Sequence, residues 1–367
     1  GFLFSSSLES NLILLISSFM MFHALQKLLE NQLRWCLEPK KYTYLSVLGS
    51  LCFSFFPIFF IYFFDLGLSG YIYGASIASL ATFLYGFYLV NNINKIGLFL
   101  DKKVLEELLS FSSPLVISSA AFYIFSYSDR WMLQIFESSE SVGIYGAASR
   151  LSSIAAIIHV LSRYAFMPLV YSSYQNPESK KEIGKIFTFI SMMGIFFLTI
   201  ILIFSENLVS LVFGKDYSQA SYILGYLSAS IILMNTYFFS PGLNIAKKTK
   251  TIAGISIAVA AINLLGNYFL IPLFSMEGAA ISSLISSLIM VVLYFYLGQR
   301  EYKIQIPYLK IFFFIFVNIL FLTFLKIFFN NNIYFKYILL MIASLIFIYF
   351  IKDFLKIVSS ILLKTEN

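Results

Sequence analysis

Residues 248–297 read KTKTIAGISIAVAAINLLGNYFLIPLFSMEGAAISSLISSLIMVVLYFYL. A basic opening, Lys248-Thr249-Lys250, leads into one long apolar run. Glu277-Gly278 interrupts it, and a second apolar run follows to Leu297. About 20 apolar residues in a helix cross the ~30 Å hydrocarbon core of a bilayer. The stretch therefore predicts two transmembrane helices joined by a short acidic turn.

The same plan occurs earlier. Shifted by 208 residues, the segment from Lys40 to Leu89 falls on Lys248 to Leu297. Lys40 meets Lys248, Thr43 meets Thr251, and Gly70 meets Gly278. Ser79-Leu80 meets Ser287-Leu288, and Phe87-Tyr88-Leu89 meets Phe295-Tyr296-Leu297. There are 9 identities in 50 positions, so the shared order carries more weight than the identities. Each copy has a basic segment, a span, a short acidic turn, a glycine and a second span. Both copies enter the membrane from the same side. That is a parallel repeat about an axis along the membrane normal, and it predicts two similar helical lobes.

The rest of the chain has the same texture. Of 367 residues, 59% are hydrophobic and 12% charged, against roughly 25% charged in a soluble domain. Helices are expected near 8–27, 42–64, 69–91, 112–135, 142–166, 185–204, 218–240, 251–272, 277–297, 308–328 and 333–352. The fold class is all-α, a polytopic membrane protein of about eleven spans. The 42 Phe and 25 Tyr read as compositional bias, not as an aromatic binding box. Cys36 and Cys52 suggest neither a disulfide nor a metal site. The net charge of +7 lies in short clusters between apolar runs, which argues against nucleic acid.

Those clusters set the sidedness. Basic residues gather at 27–41, 95–103, 180–185, 247–250 and 300–310, and in the tail at Lys352, Lys356 and Lys364; together these hold 19 of the 25. The intervening turns carry Asp65, Glu137-Ser138-Ser139-Glu140 and Glu277 without basic neighbours. The bias alternates at every turn, so the basic segments and the C-terminus are expected in the cytoplasm. An odd number of spans then places the N-terminus outside. The first residue is Gly1 and no signal peptide precedes the first span, so the expectation is that an odd number of helices is missing upstream. The segment 94–111, with Lys102-Lys103 and Glu106-Glu107 among Leu and Phe, reads as an amphipathic cytoplasmic linker.

Several motifs resemble one family. They are Ser112-Ser113-Pro114-Leu115, Ser128-Asp129-Arg130, Val142-Gly143-Ile144-Tyr145 and Ala147-Ala148-Ser149-Arg150-Leu151. Further along come Leu211-Val212-Phe213-Gly214-Lys215-Asp216-Tyr217, Asn263, Asn267-Tyr268, Ile271-Pro272-Leu273 and Glu277-Gly278-Ala279-Ala280. In order and spacing they are similar to the polysaccharide biosynthesis family. Its members flip lipid-linked oligosaccharides, including O-antigen units, within the multidrug/oligosaccharidyl-lipid/polysaccharide exporter superfamily. The resemblance implies fourteen helices in two six-helix lobes plus a C-terminal pair, of which this chain would hold helices four to fourteen. The implied organisation is 1–98 as the remainder of the N-terminal lobe, 99–111 as linker, 112–297 as the C-terminal lobe and 308–356 as the last helix pair. The implied partner is an undecaprenyl-diphosphate-linked oligosaccharide in the bacterial inner membrane, handled by a monomer without a cofactor, with other polysaccharide assembly proteins as further partners.

Ionisable residues inside spans cost about 2.5–3.5 kcal/mol on insertion scales and are functional candidates by default. Here they are Asp129, Arg130, Arg150, His159 and Arg163. Ser149, Ser152, Ser153, Ala156, His159 and Arg163 fall within about 60° of one line on a helical wheel. Guanidinium groups stay charged and donate in a planar fork, which suits a diphosphate. The three arginines are therefore expected to line a cationic cavity. Structural roles compete: Arg130 could pair with Asp129, Arg163 could snorkel to the surface, and His159 could be packing. Asn263 and Asn267, one turn apart, are expected to bond between helices.

Three functions compete. A flippase needs only alternating access, driven by an ion gradient or the membrane potential, since no P-loop is present. A multidrug antiporter would favour acidic sites, whereas the intramembrane charge here is mainly basic. A membrane acyltransferase or glycan polymerase would need acid–base machinery, and only His23 and His159 are present, with no acidic pair beside a large outer loop.

Overall fold

The computed structural model describes residues 6–36, 38–93, 101–176, 179–309, 311–313 and 315–316. Every regular element among them is helical. The chain divides into two compact units, 1–101 and 102–367. Unit 1 holds α1 (Ser6–Trp35), α2 (Pro39–Phe64) and α3 (Gly67–Asn91). Unit 2 holds α4 (Lys102–Phe136), α5 (Ser139–Ser173), α6 (Ser179–Phe213), α7 (Ala220–Thr236), the short α8 (Gly242–Ile245) and α9 (Thr249–Glu301).

Each expected span from 8–27 to 277–297 falls on observed helix. The spans at 251–272 and 277–297 are the two arms of α9, which reverses at Ser275 (φ 52°, ψ −132°). The expected spans 308–328 and 333–352 lie almost wholly outside the described residues. Residues 102–111 are the first turns of α4, and the side chains from 101 to 113 are all exposed. Among the described residues, seven helices are long and apolar enough to cross a membrane.

The two copies of the repeat share a turn. Gly67 (φ 50°) and Ser275 (φ 52°) are 208 positions apart and both adopt the left-handed conformation. Glycine does so without a Cβ clash, while serine is strained there. After each turn a glycine sits against the preceding helix. A Cβ on Gly70 would meet the Phe60–Ile61 backbone at 3.2 Å, and one on Gly278 would collide with the Leu270 carbonyl. In lipid, apolar surface gains little by leaving solvent, so helices associate through close packing at small residues and interhelical hydrogen bonds. Gly74 shows this most plainly: a Cβ there would overlap the backbone of Phe56 and Pro57.

Two of the buried clusters of unit 2 pack the ends of α9. Leu133, Tyr145, Ala148, Leu224, Ile271 and Ala279 pack one end, and Phe125, Tyr237, Ile252, Val259, Met290 and Tyr294 the other. α6 and α7 are its interior helices, with 56% and 61% of their apolar windows buried. In unit 1, Leu29, Leu33, Leu45 and Val90 close the bundle. Large apolar side chains such as Phe55, Tyr62 and Phe63 are exposed.

Candidate functional site

Ser138 fixes the α4–α5 hairpin. Its side chain accepts from the Ser141 backbone N–H at 3.2 Å, an N-cap on α5. With the turn at Glu137-Ser138, α5 folds back so that Tyr145 stands beside Asp129. On the other side, α4 runs parallel to the first arm of α9. The Ser118 and Ser256 hydroxyls lie 2.6 Å apart, Ser128 Oγ donates to Asn263 Oδ1 at 2.7 Å, and Asn267 Nδ2 donates to Asp129 Oδ1 at 2.7 Å.

Asp129 is the hub. It is 5% exposed. Ser283 Oγ donates to its Oδ2 at 2.6 Å, and the Tyr145 hydroxyl donates to the same oxygen. One carboxylate thus ties α4, α5 and both arms of α9. The network continues outward: Asn263 Nδ2 donates to Ser283 Oγ at 3.3 Å, and the hydroxyls of Ser230 and Ser287 lie 2.6 Å apart. Asn263 and Asn267 do bond between helices, as their spacing suggested.

Arg130, the next residue, points elsewhere. Its Nη2 donates to Ser149 Oγ at 3.0 Å and its Cζ lies 5.4 Å from the Tyr127 ring centroid. Its Nε is buried without a hydrogen-bond partner. No carboxylate among the described residues lies within ion-pair distance of it. Asp129 spends its oxygens on neutral donors, so Arg130 keeps an uncompensated charge. Asp129, Arg130, Tyr145, Ser149, Ser230 and Met234 line a cavity of about 210 Å³ within unit 2.

The other expected residues are spread along α5. Arg150 is exposed. Arg163 lies with its Cζ 4.1 Å from the Phe238 ring centroid and 5.2 Å from that of Tyr164, a cation–π contact of the kind worth ~1 kcal/mol. His159 is 1% exposed and neither ring nitrogen has a partner. A Cβ on Gly194 would stand 2.6 Å from His159 Cε1, so the glycine makes room for the ring. The polar stripe of α5 therefore turns Ser152, Ala156 and His159 inward: Ser152 Oγ reaches the Leu224 carbonyl at 3.5 Å. Sequence reasoning missed Tyr145 and Ser283. The hairpin would have revealed Tyr145, since residues equally far from the Glu137-Ser138 turn face each other. Ser283 carried no such signal.

Long apolar helices and a buried polar hub define a polytopic membrane protein. The fold matches a lipid II flippase MurJ in an inward closed conformation (TM-score 0.63, 16% identity, 94% of this chain and 74% of that one). It also matches a MATE transporter of Vibrio cholerae (TM-score 0.66, 17% identity, 81% and 71%). Residues 2–171 match the family described as "Polysaccharide biosynthesis protein". The chain is 25% identical over 229 residues to the "Probable low-salt glycan biosynthesis flippase Agl15" of Haloferax volcanii, covering 60% of this chain and 48% of the relative. It is 26% identical over 200 residues to the "Capsular polysaccharide biosynthesis protein CapF" of Staphylococcus aureus, covering 53% and 50%. The chain thus spans about half the length of these relatives. The resemblance expected from the motifs holds in sequence and in fold.

Proposed function

We propose that the protein is a flippase that moves an undecaprenyl-diphosphate-linked oligosaccharide, an O-antigen or capsule repeat unit, across a bacterial inner membrane by alternating access. The family match over residues 2–171 carries the reading, and the flippase among its relatives supports it. In this proposal the C-terminus is cytoplasmic and the protein does no covalent chemistry. Arg130, Arg150 and Arg163 supply the positive lining that an anionic head group needs, with Arg130 foremost. Its unspent Nε–H, and the lack of a carboxylate counter-ion among the described residues, favour an anion over a cationic drug. Asp129 acts as the fixed floor of the cavity, and His159 packs behind it. Hydroxyls such as Ser149 and Ser230 are suited to sugars.

The test is restoration of surface polysaccharide in cells lacking their own flippase, using the full-length gene. Arg130→Ala is expected to abolish restoration at unchanged expression. Arg130→Lys, which keeps the charge but loses the fork, should reduce it about tenfold. Full activity in both variants would remove Arg130 from the site. Failure of the well-expressed parent protein across several repeat-unit backgrounds would count against the flippase itself.

A further inference from the structure

The cavity at Arg130 is small for a glycosylated lipid. It holds about 210 Å³, below the ~300–1,000 Å³ of pockets that enclose a drug-sized ligand. A diphosphate fits, but an oligosaccharide must extend past it. Tyr127 lines the cavity beside Arg130, and the surface that continues from Tyr127 is aromatic.

Tyr123, Tyr127 and Trp131 stand on α4 at four-residue spacing, which puts them on one face. The Tyr123 and Tyr127 centroids are 4.6 Å apart with their planes at 36°, and Trp131 lies 6.2 Å from Tyr123 with its plane at 58°. Tyr127 also carries the Arg130 guanidinium, whose Cζ is 5.4 Å from its centroid. Tyr123 is 54% exposed, Tyr127 40% and Trp131 52%. The tilt between Tyr123 and Trp131 leaves an open corner, not a closed stack.

Most aromatic residues of the chain need no ligand, but lipid does not account for this group. Interfacial aromatic belts sit at headgroup level. Counted from Phe136 at the end of α4, Tyr127 lies about 14 Å and Tyr123 about 20 Å along the helix, well inside a ~30 Å hydrocarbon core. Neither phenol hydroxyl has a partner among the described residues, and a hydroxyl without one is costly in hydrocarbon. The charge of Arg130, on the same face, is tolerated there still less. This face of α4 therefore looks onto water or a polar ligand. A pyranose ring suits it. Its C–H faces lie on aromatic rings as apolar surface, while the hydroxyls at its edge meet phenol O–H and indole N–H.

We propose that Tyr123, Tyr127 and Trp131 form a sugar-binding wall, with the diphosphate of the substrate at Arg130 and its first sugar rings against Tyr123 and Trp131. The lipid-linked nature of the substrate rests on the flippase reading; the wetness of the wall does not.

Fluorescence of the full-length protein in lipid nanodiscs tests the wall. The emission added by Tyr127→Trp, at mid-span, should be quenched by acrylamide in the water and spared by brominated lipid tails. The emission of Trp131 itself is the difference between the parent and Trp131→Phe. Undecaprenyl diphosphate carrying an oligosaccharide should shield it from acrylamide, and undecaprenyl diphosphate alone should not. In cells, Tyr123→Ala and Trp131→Ala should each cut restoration of surface polysaccharide about tenfold, while Tyr123→Phe and Trp131→Phe keep it. Quenching at position 127 by brominated tails, equal shielding by the two lipids, or full restoration by both alanine variants of an active parent overturns the wall. If the parent restores nothing but the glycosylated lipid still shields Trp131, the wall stands and transport is rejected. If neither occurs, both are rejected.

Discussion

Asp129 accepts hydrogen bonds from Tyr145, Asn267 and Ser283, drawn from α5 and from both arms of α9. Removing the acceptor strands three donors in a site that water reaches poorly. Asp129→Ala is expected to cost on the order of 3 kcal/mol, seen as a lowered thermal midpoint in detergent. Leu161→Ala, at an exposed position of α5, should change it by no more than about 0.5 kcal/mol. Equal midpoints would show that the hub does not hold the helices together. Asp129 and Arg130 were legible in the sequence because a charge stands out in an apolar run. Their opposite fates were not. Adjacent residues on a helix point about 100° apart, so one faces α9 and the other the cavity, and only the neighbouring helices decide which charge is neutralised.

At the scale of helices, the chain packs through its smallest side chains. Gly74 abuts the backbone of Phe56 and Pro57, where nothing can yield without shifting α2 against α3. Gly254, on α9, has open space around its would-be Cβ. Gly74→Ala is therefore expected to destabilise the protein by about 2 kcal/mol or more. Gly254→Ala should be neutral or slightly stabilising, by the ~1 kcal/mol that alanine gains over glycine within a helix. Thermal midpoints of the two variants decide this; equal effects would mean that the α2–α3 contact is looser than described. The helices were legible because hydropathy is a local property. Their lengths were less so. α1 and α4 run past the expected spans, because a helix does not stop at the membrane surface when charged residues continue it in water. The break at Ser275 was foreseen as an acidic turn, but not as a left-handed serine in register with Gly67.

For the molecule as a whole, the alternation of basic and acidic turns makes a direct prediction. Cys36, exposed at the end of α1, lies in a basic segment and should react with an impermeant maleimide only after the cells are opened. A cysteine placed at Ser138, in the acidic turn before α5, should react in intact cells. The reverse pattern would invert the topology. The apolar spans were determined by the sequence alone, and the sidedness and the parallel repeat are expectations drawn from it, because the bilayer acts on each segment separately: twenty residues either suit hydrocarbon or do not, and each loop carries its own charge. The composition of the polar sites was decided only by the tertiary structure. The partners of Asp129 lie 16, 138 and 154 residues away, and such distances are set by how helices pack. A serine in a span reads the same whether it bonds to its own backbone, as Ser79 does, or to a buried carboxylate, as Ser283 does, since hydrogen-bond energy depends on where the partner ends up in space.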